Sequence, residues 1–101
     1  MLNEFKVQNE DDLLTPGLVV YPKRVQHNIK AMLQLAGGTE RLIPHIKTHK
    51  MAAVIKLQMD AGITQFKCAT LAEMQLLISC GVSKILLAHQ PTKEKIKQFI
   101  H

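Results

Sequence analysis

Aromatic residues make up only 4% of this 101-residue chain, and tryptophan is absent. Proteins that bind single-stranded nucleic acid use aromatic side chains on which the bases stack, so this composition argues against that class. The net charge of +5 suits an anionic partner, but the lysines are scattered. Their one cluster, KEKIKQF at 93–99, alternates with apolar residues as the solvent face of a helix would. We therefore expect no nucleic-acid partner, and a phosphorylated small molecule suits the charge at least as well.

Cysteine is also scarce, and long apolar runs are missing. Cys68 and Cys80 lie inside apolar segments and match no metal-ligand spacing, so we interpret them as buried free thiols in a reducing compartment. No stretch approaches the ~20 apolar residues of a membrane helix. The amino terminus, MLNEFKVQNEDD, carries acids and lacks the apolar core of a signal peptide. We expect a cytoplasmic protein without a membrane partner.

What the chain does contain is a repeated pattern, in a composition that is 47% hydrophobic and can bury a modest core. The stretches AGITQFKCAT (61–70) and CGVSKILLAH (80–89) share one order: glycine, a β-branched aliphatic residue, serine or threonine, a polar residue and an apolar run. A looser third copy begins at Gly37. Each copy follows a helical pattern, and its glycine stands where a helix C-terminal cap belongs.

Apolar spacing separates helices from strands along the chain. Thr70 followed by Glu73 forms a capping-box pattern at the start of one helix. The short runs between the helices are largely apolar, as in strands buried on both faces. The predicted helices cover 25–36, 52–59 (weakly), 71–78 and 96–100. The predicted strands cover 18–21, 42–47, 65–69 and 84–88.

This alternation predicts an α/β fold with a mostly parallel sheet and right-handed crossovers. One strand–helix unit takes about 20 residues, which suits a (β/α)8 barrel better than a doubly wound sheet with long loops. A complete barrel takes ~250 residues. The chain therefore either holds part of a barrel or completes its sheet by oligomerisation. We favour the incomplete barrel, because the final helix stops at His101 without a terminal device.

The segment IPHIKTHK, residues 43–50 and called the lysine block below, ends an apolar run with Lys47. Lysine is depleted in strands and costly to bury. Its amine can, however, hold a carbonyl compound as a Schiff base. The carboxyl ends of parallel strands share one rim of the sheet, where the active sites of such folds lie. The residues predicted on that rim are Lys47, Thr48, His49, Thr70 and His89.

The pattern alone leaves the role of each residue open. Lys47 is either a nucleophile or a strand-end lysine that extends into solvent. His45, expected on the same strand face, is either a base or a core histidine, and Thr70 can simply cap its helix. His45 and His49 are four residues apart, but this spacing makes a metal pair only on a helix, against which Pro44 argues. We therefore assign no metal ligand.

Four stretches in unbroken order, TPGLVVYPKRVQHNI, RLIPHIKTHK, FKCATLAEMQLL and ILLAHQP, carry a family resemblance that runs from Thr15 nearly to His101. Together they resemble the start of the D-threonine aldolase and D-serine dehydratase family, which are pyridoxal-phosphate enzymes with an alanine racemase-like barrel. The resemblance implies an N-terminal segment at 1–14 and the first βα units of the pyridoxal-phosphate-binding barrel at 15–101. It also implies further barrel units and a C-terminal β domain, which we expect to lie outside these 101 residues.

In that family the first lysine of the block forms a Schiff base with the cofactor, and this position is Lys47, not Lys50. The resemblance therefore implies that Lys47 is catalytic and binds pyridoxal phosphate. We expect His45 and Thr70 to contribute to the same cofactor site. We also expect partial burial and cationic neighbours to make the Lys47 amine reactive.

The implied activity is that of a lyase on D-β-hydroxy amino acids, by retro-aldol cleavage or by elimination of the β-hydroxyl group. A racemase, a non-catalytic pyridoxal-phosphate carrier and a fragment inactive on its own are the alternatives. The resemblance also implies a homodimer and a divalent metal in the full-length protein, with metal ligands outside this chain. Ile43 stands where the family often has arginine, and His89 where it often has tyrosine. These departures leave the substrate open.

Overall fold

The structure, a computed structural model, describes residues 5–100. Residues 1–4 of the predicted N-terminal segment, and residue 101 at the end of the predicted barrel portion, lie outside the described residues. The helices are α1 (Pro22–Ala36), α2 (Ala52–Asp60), α3 (Leu71–Ser79) and α4 (Lys93–Ile100), with short 3-10 helices at Glu10–Asp12 and Thr39–Arg41. The strands are β1 (Gln65–Cys68) and β2 (Lys84–Leu87).

Three extended segments lie side by side and run in parallel. Strand β1 pairs with β2 so that Phe66 lies opposite Ile85. On the other side of β1, the lysine block forms a single bridge between His45 and Lys67. In that bridge the Ile46 N–H donates to the Lys67 carbonyl at 3.1 Å. These contacts confirm the predicted α/β fold with parallel strands joined through helices.

Two of the four predicted strands differ in the structure. The strand over 42–47 is reduced to its bridge, because Pro44 has no N–H to donate and a turn begins at Lys47. The strand predicted over 18–21 is wrong for the described residues: it has no paired neighbour there, and Leu18 and Val19 are 68% and 49% exposed. An apolar β-rich sequence becomes a strand only when another segment accepts its backbone hydrogen bonds.

The helix boundaries agree well with the sequence patterns. Helix α1 begins at Pro22 and ends at Gly37, whose φ of 81° is left-handed and whose N–H donates to the Leu33 carbonyl. The equivalent glycines after α2 and α3 also have positive φ angles. Helix α4 starts at Lys93, three residues earlier than predicted. The glycines of the repeated pattern therefore stop helices, as expected.

The segment before α1 packs against the start of that helix. The rings of Phe5 and Tyr21 meet edge to face, with centroids 5.4 Å apart, and the Tyr21 hydroxyl donates to the Phe5 carbonyl at 2.6 Å. The Arg24 guanidinium lies 4.5 Å from the centre of the Phe5 ring. These contacts hold the described part of the N-terminal segment on α1.

The core lies between the sheet and the helices. Phe66 and Cys68 alternate onto this face of β1, and both are fully buried. Leu77 of α3 packs against them, together with Ile46, Ile55, Ile63 and Val82. Both cysteines are free thiols, as predicted, but only Cys68 is fully buried, and Cys80 is partly exposed. The opposite face of β1 is only partly buried, and Leu86 on the same face of β2 is half-exposed; this is the face that would line the inside of a barrel.

The helices are short relative to a lipid bilayer. None of the helices between residues 5 and 100 is long and apolar enough to cross a membrane.

Phe66 is the largest fully buried side chain among residues 5–100, so its truncation tests the core. We expect Phe66→Ala to lower the free energy of unfolding by about 3–5 kcal/mol, measured by urea denaturation of the full-length protein. Leu35→Ala is the control: Leu35 is 90% exposed on α1, and its truncation should change stability by less than about 0.5 kcal/mol. A loss at Phe66 no larger than the loss at Leu35 would contradict this core.

Candidate active site

The carboxyl ends of the three parallel segments meet at one edge of the sheet. Lys47 follows the segment that bridges to β1, Thr70 follows β1, and His89 follows β2. These are the positions that the sequence pattern places on a common rim. The charge of His89 makes a small contribution to lowering the pKa of the His45 ring.

The lysine block turns sharply as soon as its bridge to β1 is made. The Lys50 N–H donates to the Ile46 carbonyl at 2.8 Å, and Lys50 has a left-handed φ of 51°. Lys47 is the first residue of this turn and is exposed. Strand alternation therefore stops before Lys47, and the expected partial burial of this lysine is not found within the described residues. The direction of the Lys47 side chain is therefore set by the turn and not by strand alternation.

His45 lies at the centre of the rim. Its Nδ1 accepts the Lys47 N–H at 3.2 Å, which leaves Nε2 to carry the proton of the neutral ring. Partial burial and the charge of Lys47 lower the pKa of His45 from its ordinary 6.5, Glu73 opposes this shift, and the charges of Lys67 and His89 add to it. His45 is therefore a neutral imidazole at pH 7, bound to the Lys47 N–H and bridged to Lys67 of β1.

Thr70 is fully engaged in the capping box that the sequence predicts. Its hydroxyl oxygen accepts the Glu73 N–H at 3.1 Å and donates its hydrogen to Glu73 Oε2 at 3.0 Å. Glu73 Oε1 accepts the Ala69 N–H at 3.0 Å. A phosphate or phenolate oxygen needs a donor, and the Thr70 hydrogen is already donated to Glu73. In this geometry Thr70 shapes the loop after β1 and offers a ligand only an acceptor.

Glu73 is a buried carboxylate at the rim, only 3% exposed. Burial by itself would raise its pKa, but the hydrogen bonds from Ala69 and Thr70 and the positive charges of Lys50 and His45 outweigh burial and lower it. Glu73 is therefore ionised at neutral pH. The sequence pattern identified Glu73 only as a helix cap; its position facing the lysine block depends on how α3 packs.

Lys67 is a rim cation that the sequence analysis missed. Phe66 and Cys68 point into the helix-covered core, so Lys67 points to the opposite face of β1. Its bridge partner His45 shares that face, and the charge of Lys67 acts on the His45 ring. A lysine inside the short apolar strand QFKC was the available signal, since strand interiors disfavour lysine.

His49 stabilises the start of α2 and does not face the rim. Its Nδ1 accepts the Met51 N–H at 3.0 Å, and burial lowers the pKa of the ring. Its Nε2 is buried without a hydrogen-bond partner among residues 5–100. No group of three histidine, cysteine or acidic side chains in that part of the chain could hold a metal ion.

The groups on the rim suit an anionic aldehyde. Lys47 supplies an exposed primary amine, and no carboxylate of residues 5–100 forms an ion pair with it. Such an amine can condense with a carbonyl group. The cations around it outnumber the one acid, Glu73. The donor set therefore fits the carbonyl end of a cofactor such as pyridoxal phosphate.

Glu73→Gln tests the buried carboxylate. Because its pKa is lowered in the folded protein, Glu73 stabilises the fold above its ordinary value of 4.5, and this stability is lost as the pH falls through the folded pKa. We expect the variant to have a lower Tm at pH 7 and a smaller loss of Tm between pH 6 and pH 3, measured by calorimetry. The exposed Glu40→Gln is the matched control. Equal acid sensitivity in wild type and Glu73→Gln would refute an ionised buried Glu73.

Comparison with known proteins places this geometry in a family. The family described as alanine racemase, N-terminal domain, matches residues 20–101. A D-threo-3-hydroxyaspartate dehydratase from Delftia sp. (strain HT23) is 33% identical over 93 residues, which cover 88% of this chain and 24% of the dehydratase. A solved structure of a histidine-to-alanine mutant of a D-threo-3-hydroxyaspartate dehydratase is 32% identical. It superimposes with a TM-score of 0.77 over 87% of this chain and 23% of that one.

The chain thus spans about a quarter of the length of the relatives it matches. Its parallel strands and covering helices correspond to a fragment of a (β/α)8 barrel, as predicted. The match covers the lysine block, the capping box of α3 and His89, which lie at the rim. The chain belongs to the alanine racemase N-terminal domain family.

Proposed function

We propose that the full-length protein is a pyridoxal-phosphate-dependent lyase that acts on D-β-hydroxy amino acids. The observation that carries this proposal is the exposed amine of Lys47 at the carboxyl edge of a parallel sheet, held beside a neutral imidazole. The family match and the similarity to a protein named as a dehydratase of a D-hydroxy amino acid support the same reaction class.

Lys47 would hold the cofactor covalently through Nζ. Once bound, the pyridine ring of the cofactor supplies an electron sink for charge that develops at the substrate α-carbon. The amine of Lys47 is then the group that moves a proton at that carbon, since it is the exposed base beside the site.

The residues next to Lys47 hold it in position and take no part in the chemical step. His45 accepts the Lys47 N–H, and the Lys50 N–H closes the same turn on Ile46, so two hydrogen bonds fix the backbone that carries the amine. Glu73 places one negative charge among the cations. We propose that His45 lies next to the bound cofactor. Thr70 instead stabilises the conformation of the adjacent loop through its hydrogen bonds with Glu73.

Elimination of the β-hydroxyl is the reaction that we favour over retro-aldol cleavage, because the similar protein is named a dehydratase. Elimination followed by hydrolysis yields a keto acid and ammonia, whereas aldol cleavage yields an aldehyde and glycine. In line with the family resemblance, we also propose a cytoplasmic homodimer and a divalent metal, bound by residues outside 5–100, that activates the β-hydroxyl.

Borohydride reduction of the full-length protein with pyridoxal phosphate tests the attachment. We expect a pyridoxyl group on Lys47 by peptide mass spectrometry, because its amine is exposed and free of ion pairs with residues 5–100. Lys47→Arg should abolish the label and reduce turnover of D-β-hydroxy amino acids by about 100-fold or more.

Lys50→Arg is the matched control, since Lys50 lies in the same turn and is also exposed. It should retain the label on Lys47. A label on Lys50 in the wild-type protein, or labelling that survives Lys47→Arg, would overturn the assignment. Keto acid and ammonia among the products would support elimination, whereas glycine among the products would show that the reaction is retro-aldol cleavage.

A further inference from the structure

Lys50 has a backbone conformation that lysine rarely adopts. Its φ of 51° lies in the left-handed region, and among residues 5–100 only glycines share a positive φ with it. The chain uses glycine where it ends its helices in this region, at Gly37, Gly62 and Gly81. Glycine at position 50 would remove the steric strain as well. A lysine that keeps this conformation therefore indicates a use for its side chain.

The Lys50 side chain lines a cavity between the lysine block and α3. The cavity has a volume of about 230 Å³, and its other lining residues are Thr70, Ala72, Glu73 and Leu76. Glu73 is the one acid on this wall and is 3% exposed. The charge of Lys50 acts on its carboxylate. An ammonium group and a buried carboxylate thus face the same small space.

Glu73 is a fixed partner for this charge. Its Oε1 accepts the Ala69 N–H at 3.0 Å, and its Oε2 accepts the Thr70 hydroxyl at 3.0 Å. These two hydrogen bonds hold the carboxylate in one orientation. Because His45 is neutral at pH 7, Lys50 supplies the positive charge that faces Glu73 from the lysine block.

Lys50 also closes the turn that carries the candidate nucleophile. Its N–H donates to the Ile46 carbonyl at 2.8 Å, and Ile46 is fully buried, so the turn is tied to the core at this point. Lys47 lies between these two residues and is exposed. The direction of its amine therefore depends on the backbone of the turn. A misplacement of about 1 Å at a reacting group can lower a rate by about 100-fold.

We propose that Lys50 is a positioning residue: attraction between its ammonium group and the Glu73 carboxylate holds the turn against α3 and so fixes the direction of the Lys47 amine. This inference rests on the proposed lyase function and deepens it. In this role Lys50 does not bind the substrate. Its loss should therefore lower kcat and leave KM nearly unchanged.

Three substitutions of Lys50 in the full-length holoenzyme separate its backbone, its side chain and its charge. Lys50→Gly relieves the strain and removes the side chain, Lys50→Met removes the charge, and Lys50→Arg keeps it. D-serine, D-threonine and D-3-hydroxyaspartate are the probe substrates. We expect kcat to fall by about 10-fold in the glycine and methionine variants, with KM changed by less than about 2-fold. Lys50→Arg should keep most of the activity.

Two outcomes of these kinetics would overturn the proposal. Wild-type kcat in Lys50→Gly would mean that Lys50 serves only the turn. Equal losses in Lys50→Arg and Lys50→Met would mean that the charge is not used. Lys56→Met is the matched control, because Lys56 is an exposed lysine on α2 that does not line the cavity. It should leave kcat unchanged.

Glu73→Gln tests the partner of Lys50. Glutamine can still complete a capping box, but it carries no charge. We expect a similar fall in kcat, and the double variant Lys50→Met/Glu73→Gln should lose no more than either single variant, since both changes remove one interaction. Losses that multiply in the double variant would refute the pairing.

Two further readouts do not depend on turnover. In the full-length apoprotein at pH 7, the fall in Tm of the double variant should be smaller than the sum of the two single falls, and additive falls would refute the attraction. The rate at which pyridoxal phosphate and borohydride label Lys47 should fall in Lys50→Gly; an unchanged rate would refute the positioning role. Labelling of Lys47 without turnover of any probe would end the lyase proposal alone, whereas no labelling of Lys47 in wild type would overturn both.

Discussion

The pairing of the lysine block with β1 is the constraint on which the rest of the site depends. The Lys67 N–H donates to the Pro44 carbonyl at 2.8 Å, and the Ile46 N–H donates back to the Lys67 carbonyl at 3.1 Å. A shift of one residue would turn Ile46 out of the core and His45 into it. This register therefore sets both the hydrophobic face of the segment and the position of the imidazole beside Lys47.

Charge then organises the rim around a single buried acid. Glu73 is held by hydrogen bonds from the loop that precedes α3, and it faces a lysine and a histidine of the lysine block. The Glu73 carboxylate thus both caps α3 and supplies the negative charge of the site. Because the carboxylate is ionised and its oxygens are occupied, it balances positive charge without competing for an anionic ligand.

Local patterns predicted the elements whose stability is mainly local. The helices follow their apolar spacing, and the glycines after α1, α2 and α3 adopt the positive φ angles that end helices. Strands β1 and β2 end within one residue of their predicted ends. The strand over 18–21 failed, because a strand needs hydrogen bonds from another segment and none of residues 5–100 supplies them.

The sequence by itself determined the alternation of helix and strand and the capping box of α3, since each depends on the spacing of a few neighbouring residues, and its family resemblance indicated Lys47 as the candidate nucleophile. Only the tertiary structure decided that Lys47 lies in a turn, that Glu73 is buried against the lysine block, and that Lys67 shares a face with His45. The physical reason is distance along the chain. Side-chain spacing specifies a local conformation, whereas burial and electrostatic partners depend on which segments pack together.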